Sequence, residues 1–259
     1  MVIRENSIDG EAILKPRRLL LSSLAASAIL FGFGDGDALA DNDFLVYSPH
    51  VVQGETEIET YGFAYQDSNS ELNGTRGYNL SIAHGVTRWW KAELYASYNR
   101  VPEGTTALSS YEFENTFQLT TPGQFWADLG FVASYVYSKQ PDVPNGSEFG
   151  PLFEKMSGPI DQRLNLLWEK DIGAGASGKY TFRSSYSISY KIDFTKASFS
   201  PGIEAYYRPG DSASHIGPVF YGEFQTGEDS AVDYSFGVVF GVNPGAADKT
   251  YLFRLGYEL

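Results

Sequence analysis

The sequence predicts an all-β fold, a transmembrane antiparallel up-and-down β-barrel of about twelve strands. Three observations carry this reading. Apolar and polar residues alternate over long runs, as in Val232, Tyr234, Phe236, Val238, Phe240 and Val242 against Asp233, Ser235, Gly237 and Gly241. A strand points successive side chains to opposite faces, so each run has one apolar and one polar face. The runs span ten to thirteen residues, long enough for a tilted strand to cross a membrane, whereas strands of soluble proteins average nearer five or six. The final residues repeat the pattern: Tyr251, Phe253, Leu255, Tyr257 and Leu259 share one parity against Leu252, Arg254, Gly256 and Glu258.

Composition excludes other classes. Charged residues make up 20% of the chain, mean hydropathy is −0.25, and nothing after Phe33 approaches the length of a spanning helix. A barrel tolerates this because only alternate residues face lipid. The formal net charge of −13 argues against nucleic acid, whose phosphates select basic surfaces. With no cysteine there is neither a disulfide framework nor a thiolate metal site.

Residues 1–40 read as a secretory signal peptide. Arg17-Arg18 precede an apolar run from Leu19 to Phe33, and Ala38-Leu39-Ala40 forms an A-x-A cleavage site. Four basic and five acidic residues would leave with it, taking −13 to −12. Residues 41–54 then form a periplasmic N-terminal arm, and 55–259 the barrel. Strong alternation places strands near 77–86, 90–99, 110–119, 125–137, 180–191, 232–242 and 249–259. Weaker examples lie at 56–66, 147–157, 162–171, 198–208 and 214–225. Short turns near 87–89, 120–123, 157–161 and 226–230 would be periplasmic. Generally longer connections near 66–75, 100–108, 138–146, 171–178 and 209–214 would face outside.

Aromatic residues fit a membrane barrel. Tyr and Phe number 18 each and Trp 4, and Trp89, Trp90, Trp126, Trp168, Tyr207 and Tyr257 are candidates for the girdles at the two interfaces. The terminal strand resembles the C-terminal assembly signal of outer-membrane proteins, with Leu259 in place of the usual Phe. It implies the barrel-assembly machinery as a partner.

Catalytic chemistry is not indicated, and no cofactor or metal is expected. The histidines are His50, His84 and His215. Barrel-borne lipases carry Ser and His two apart on the lipid face, but His84 is flanked at that spacing by Ile82 and Val86. His215 has Ser212 and Ser214 nearby without an implied acid. Gly173–Gly178 follows a strand with no helix behind it, so it is a loop and not a phosphate cradle.

The candidate constellation is the charged inward face: Glu93, Glu112, Glu114, Asp128, Glu169, Glu204 and Glu223 with Lys91, Arg163, Arg183, Arg208 and Arg254. These charges either pair across the lumen and brace the wall or line a polar passage favouring cations. Twelve strands tilted at about 40° give a backbone radius of roughly 12 Å. Inward side chains remove about half of it, and the arm 41–54 could close the rest.

Three segments, Tyr47–Glu59, Tyr111–Leu119 and Gly150–Lys155, resemble an uncharacterised family of proteobacterial outer-membrane proteins, distantly similar to barrels associated with phenol-degradation pathways. The likeness implies the barrel and carries no catalytic residue. The expectation is a non-enzymatic barrel in the outer membrane of a Gram-negative bacterium, surrounded by its lipid. It would be a narrow passive channel for small polar or cationic solutes of unknown identity. The alternative is a non-conducting barrel with an envelope-structural or surface-interaction role.

Overall fold

The structure, a computed structural model, describes residues 44–228 and 230–259. The expected signal peptide and the first three residues of the arm lie outside this range. In chain order the strands are β1 (Thr56–Gln66), β2 (Arg76–Thr87), β3 (Trp90–Arg100), β4 (Ala107–Gln118), β5 (Asp128–Ser138), β6 (Asn145–Ser157), β7 (Ile160–Ile172), β8 (Tyr180–Tyr190), β9 (Ile192–Asp193), β10 (Ala197–Tyr207), β11 (His215–Gln225), β12 (Ala231–Gly241) and β13 (Lys249–Glu258). All but the two-residue β9, which pairs with β10, form one antiparallel closed barrel of twelve strands. Among the described residues no helix is long and apolar enough to cross a membrane.

Closure is made by the first and last strands. β1 pairs with β13 from Glu57↔Glu258 to Gln66↔Lys249, and Thr56 and Leu259 exchange backbone hydrogen bonds of 3.0 and 2.8 Å. A closed ladder satisfies backbone donors and acceptors that would otherwise face hydrocarbon unpaired. We call the end where Thr56 meets Leu259 the terminal end, and the opposite one the far end.

The alternation sorts residues as expected. On β2, Asn79, Ser81 and Ala83 are buried in the interior while Leu80 and Ile82 are exposed on the outer wall. On β4, Glu112 and Glu114 are buried and Tyr111 and Phe113 exposed. A surface of exposed Leu, Ile and Phe around a closed ladder has lipid as its natural solvent.

One connection differs from the sequence reading, and two more had no turn assigned to them. Phe125 and Ala127 were expected in the fifth strand, but β5 starts at Asp128. The Asp128 carboxylate accepts from Gly123 N–H at 2.7 Å and Thr120 Oγ1 accepts from Leu129 N–H at 2.9 Å, so a side-chain-tied turn takes the residues that would have extended the ladder. Residues 191–196 include β9 and extend the β8–β10 hairpin. Residues 242–248 form a far-end loop that buries Ala246 and Ala247. By contrast the β6–β7 turn is as tight as a hairpin allows: Ser157 pairs with Ile160 around Gly158-Pro159, with Gly158 at φ 60°.

Two predictions test this architecture. Phe236→Arg, on the lipid-facing wall, should destabilise the barrel by about 2–4 kcal/mol if it lies near the midplane. Ser235→Asn, one residue away and inward, should change folding stability far less. Equal losses in urea unfolding of the two refolded variants would mean the faces are reversed. Deleting Tyr251–Leu259 should leave β1 and β12 with unpaired edges and abolish the heat-modifiable gel shift of the folded barrel.

Candidate functional site in the barrel lumen

The arm decides what the interior can do. The sequence reading gave residues 41–54 as a periplasmic arm that could close the lumen; from Phe44 onward the arm runs inside the barrel. Its first described residue lies toward the far end, where Phe44 packs on Phe63, Tyr206 and His215 with ring centroids 5.3, 5.1 and 5.2 Å away. Its last residues leave at the terminal end, where Gly54 N–H donates to the Gly85 carbonyl at 2.8 Å.

Alternate arm residues grip opposite walls. Leu45 and Tyr47 pack with Tyr61, Tyr95, Val132, Leu152 and Leu167, contributed by β1, β3, β5, β6 and β7. Val46 packs with Tyr206, Val219 and Val239 of β10, β11 and β12, flanked by Phe44, Tyr221 and Leu252. Leu152, Leu167 and Val239 are completely shielded from solvent. A strand-like segment with period two thus fills the middle of the lumen from both faces.

Polar contacts fix its register. Tyr47 N–H donates to Asn165 Oδ1 at 2.7 Å, and Asn165 Nδ2 donates back to the Tyr47 carbonyl at 3.0 Å. One inward asparagine therefore satisfies both backbone groups of an arm residue that no strand pairs. Ser185 Oγ donates to the Leu45 carbonyl at 3.1 Å, and Val51 N–H donates to Gln118 Oε1 at 2.8 Å. Near the terminal end Ser48 Oγ donates to Glu154 at 2.6 Å. His50 lies 2.9 Å from Asp128 and 3.6 Å from Glu154. Glycine makes room where the arm touches the wall. A Cβ on Gly85 would sit 1.9 Å from the Val52 carbonyl oxygen, and one on Gly130 would lie 2.6 Å from Pro49 Cβ.

The charged residues singled out from the sequence all point inward, in several groups. Toward the far end Arg183 pairs with Glu148 and, at 2.7 Å, with Glu169, which Arg208 holds from its other side at 3.0 Å. Arg163 joins Glu154 and Asp161 at 3.2 and 2.9 Å near His50. At the terminal end Arg254 is bound to Glu59 and lies 3.5 Å from Glu57, while Lys91 reaches Glu93 at 3.6 Å. Glu204 accepts from Tyr206 and Tyr221 at 2.5 and 2.6 Å. Much of the set therefore braces the wall. Glu93, Glu112, Glu114, Asp128 and Glu204 are buried rather than bordering an open passage. Three carboxylates that retain exposure, Glu223, Asp233 and Glu258, gather at the terminal mouth.

Outside the strands, the ionisations of Glu55 and Arg208 are among those shifted. Partial burial, then the charge of Glu57, raises the Glu55 carboxyl above its ordinary range. Burial lowers Arg208, opposed by Asp211.

Spacing along the chain could not reveal clusters made across strands. Oxygens of Glu57, Asp233 and Glu258, from β1, β12 and β13, converge within 4.8 Å, but Arg254 already neutralises Glu57 and lies 3.9 Å from Asp233. His84 lies on the outer wall and its Nδ1 meets Thr56 Oγ1 at 3.0 Å, a cross-strand partner rather than a neighbour in sequence. His215 is inward against Phe44. Asn165, Ser185 and Glu154 were missed as arm contacts, as were the wall partners of His50. A signal existed in the inward glycines 85 and 130, where the wall offers no side chain.

The aromatic candidates lie toward the two rims. Trp89 stacks on Phe117 at 6.1 Å, and Trp90 Nε1 donates to Asn115 Oδ1 at 3.0 Å. Trp126 is 76% exposed in the β4–β5 connection, and Tyr257 is outward on β13. Trp168 sits between Phe149 and Phe182 in the far half, where Tyr207 is also exposed.

No family model and no curated protein matches the chain. Solved structures do. An outer membrane channel from Pseudomonas putida F1 aligns with a TM-score of 0.55 at 11% identity, covering 81% of this chain and 97% of that one. The KdgM porin in complex with disordered oligogalacturonate gives 0.49 at 8% identity over 78% and 97%. The translocator domain of the autotransporter NalP from Neisseria meningitidis gives 0.49 at 14% over 81% and 89%. What is shared is the fold: the chain is built as outer-membrane barrels are.

The arm's grip generates a prediction. Asn165→Leu removes both partners of Tyr47, and each buried group left unpaired costs about 1–3 kcal/mol. With a protease site placed in the arm, cleavage of the folded barrel should rise strongly in Asn165→Leu and also in Gly85→Val, whose side chain would strike Val52. Unchanged cleavage in both would show that these contacts do not hold the arm.

Proposed function

We propose that this protein is a passive outer-membrane channel for small solutes whose own N-terminal arm closes the lumen, with polar or cationic solutes favoured once the arm moves. The observation that carries the reading is the arm itself, a separable segment held by side chains inside a completed barrel. A wall that merely braced itself would have no use for inward glycines shaped to an arm's backbone. The acidic surplus at the terminal mouth favours cations there, since screening is incomplete in a narrow lumen.

In this reading residues 1–40 export the chain, the terminal strand β13 engages the assembly machinery, the terminal end faces the periplasm and the far end faces outside. Lys91 and the inward carboxylates act on solutes through charge, and no step is catalytic.

The test is planar-bilayer conductance of the refolded mature protein beside a variant lacking 44–52. The intact protein should conduct weakly and the deletion variant more strongly, with cations preferred over anions. Glu112→Gln with Glu114→Gln should reduce that preference in the deletion background and leave the intact protein almost unaffected, because both carboxylates are buried in it. A deletion variant that is folded yet silent would establish the barrel as non-conducting and favour an envelope-structural role.

A further inference from the structure

The outer wall carries a charge asymmetry that conduction does not use. The twelve barrel strands turn five charged side chains outward, Arg76, Arg100, Lys155, Lys170 and Lys249, and all are cations; the strand carboxylates sit on inward positions. Four of the five lie toward the far end, and Lys155 lies toward the terminal end, opposite Gln162.

Two of them are juxtaposed. Arg76 and Arg100 face each other directly across β2 and β3, one step beyond the outward pair Tyr78↔Tyr98 and two beyond Leu80↔Ala96. Like charges directly opposite on one sheet face repel, and among the described residues neither arginine has a carboxylate within ion-pair distance. Arg100 is also positioned: its Nε donates to the Gly104 carbonyl at 3.0 Å, which fixes the guanidinium and leaves its two terminal nitrogens for another acceptor. Lys249 on β13 extends the cationic strip around the same rim, opposite Gln66 of β1. The apolar wall, then tyrosines, then arginines reproduce the order hydrocarbon, interface and headgroup that a leaflet presents.

We infer that Arg76 and Arg100 form a binding site for a phosphate of an anionic glycolipid in the leaflet around the far end. Two planar forks carried by directly paired residues suit the oxygens of one phosphate monoester, which would relieve their repulsion through charge-assisted hydrogen bonds. A basic strip at headgroup depth is matched in charge to a phosphorylated lipid. The inference rests on the orientation proposed above, with the far end outside, and is indifferent to whether the lumen conducts.

The experiment is native mass spectrometry of the purified mature protein, titrated in detergent with bis-phosphorylated lipid A and with its dephosphorylated form. Wild-type should bind the phosphorylated form at least ten-fold more tightly. Arg76→Ala with Arg100→Ala should abolish that preference, Arg76→Lys with Arg100→Lys should keep part of it, and Lys155→Ala should not alter it. Millimolar inorganic phosphate should fail to displace the lipid, which separates a lipid site from a free-phosphate site. Heat-modifiable migration of each variant establishes that it is folded. Equal binding of the two lipid forms, an alanine pair that binds as wild-type does, displacement by inorganic phosphate, or preference for phosphatidylglycerol over lipid A would each overturn the assignment.

Discussion

Every feature of this molecule depends on the pairing of β1 with β13. An open sheet in an apolar solvent would leave two edges of unpaired backbone groups, and no arrangement of side chains offsets that cost. Once the first and last strands exchange hydrogen bonds, as Thr56 and Leu259 do at 3.0 and 2.8 Å, an inside exists. Residues of one parity can then be polar without meeting lipid, and the arm has an enclosure to occupy.

Closure also explains how charge is distributed. The protein is acidic, at −13, yet its membrane-facing wall bears cations only. Carboxylates and their partners are sent inward, where Arg183, Arg163 and Arg254 hold them across neighbouring strands. Acidity is thus a property of the lumen and loops, and net charge alone would give a wrong picture of the surface that meets lipid.

Much of the fold was legible in the sequence because strand parity is a local, repeated signal. Tyr78 through Val86 or Val232 through Val242 states its facing without reference to anything else. The inward position of Arg183 or Glu114 followed at once. What could not be read was anything depending on neighbours across the barrel. Asn165 and Tyr47 are 118 residues apart, and Ser185 reaches Leu45 across 140. The arm's path through the lumen could not be traced for the same reason, since Phe44–Val52 has no long alternation of its own and its position is set by what surrounds it. The early ending of the β4–β5 ladder was hidden too, because Asp128 counts as an inward acid in any parity reading while also tying down Gly123.

The two apolar patches that clasp the arm have a thermodynamic meaning. Val132, Leu152 and Leu167 on one wall, and Val219 and Val239 on the other, would be unusual linings for a permanently water-filled pore. Withdrawal of the arm would wet them together with Leu45 and Val46, at about 25 cal/mol for each Å² of apolar surface exposed. Solvation therefore favours the closed lumen, against the conformational entropy that the arm would regain on leaving. Whatever shifts that balance must bind the emptied form better than the filled one, by at least the free energy separating them.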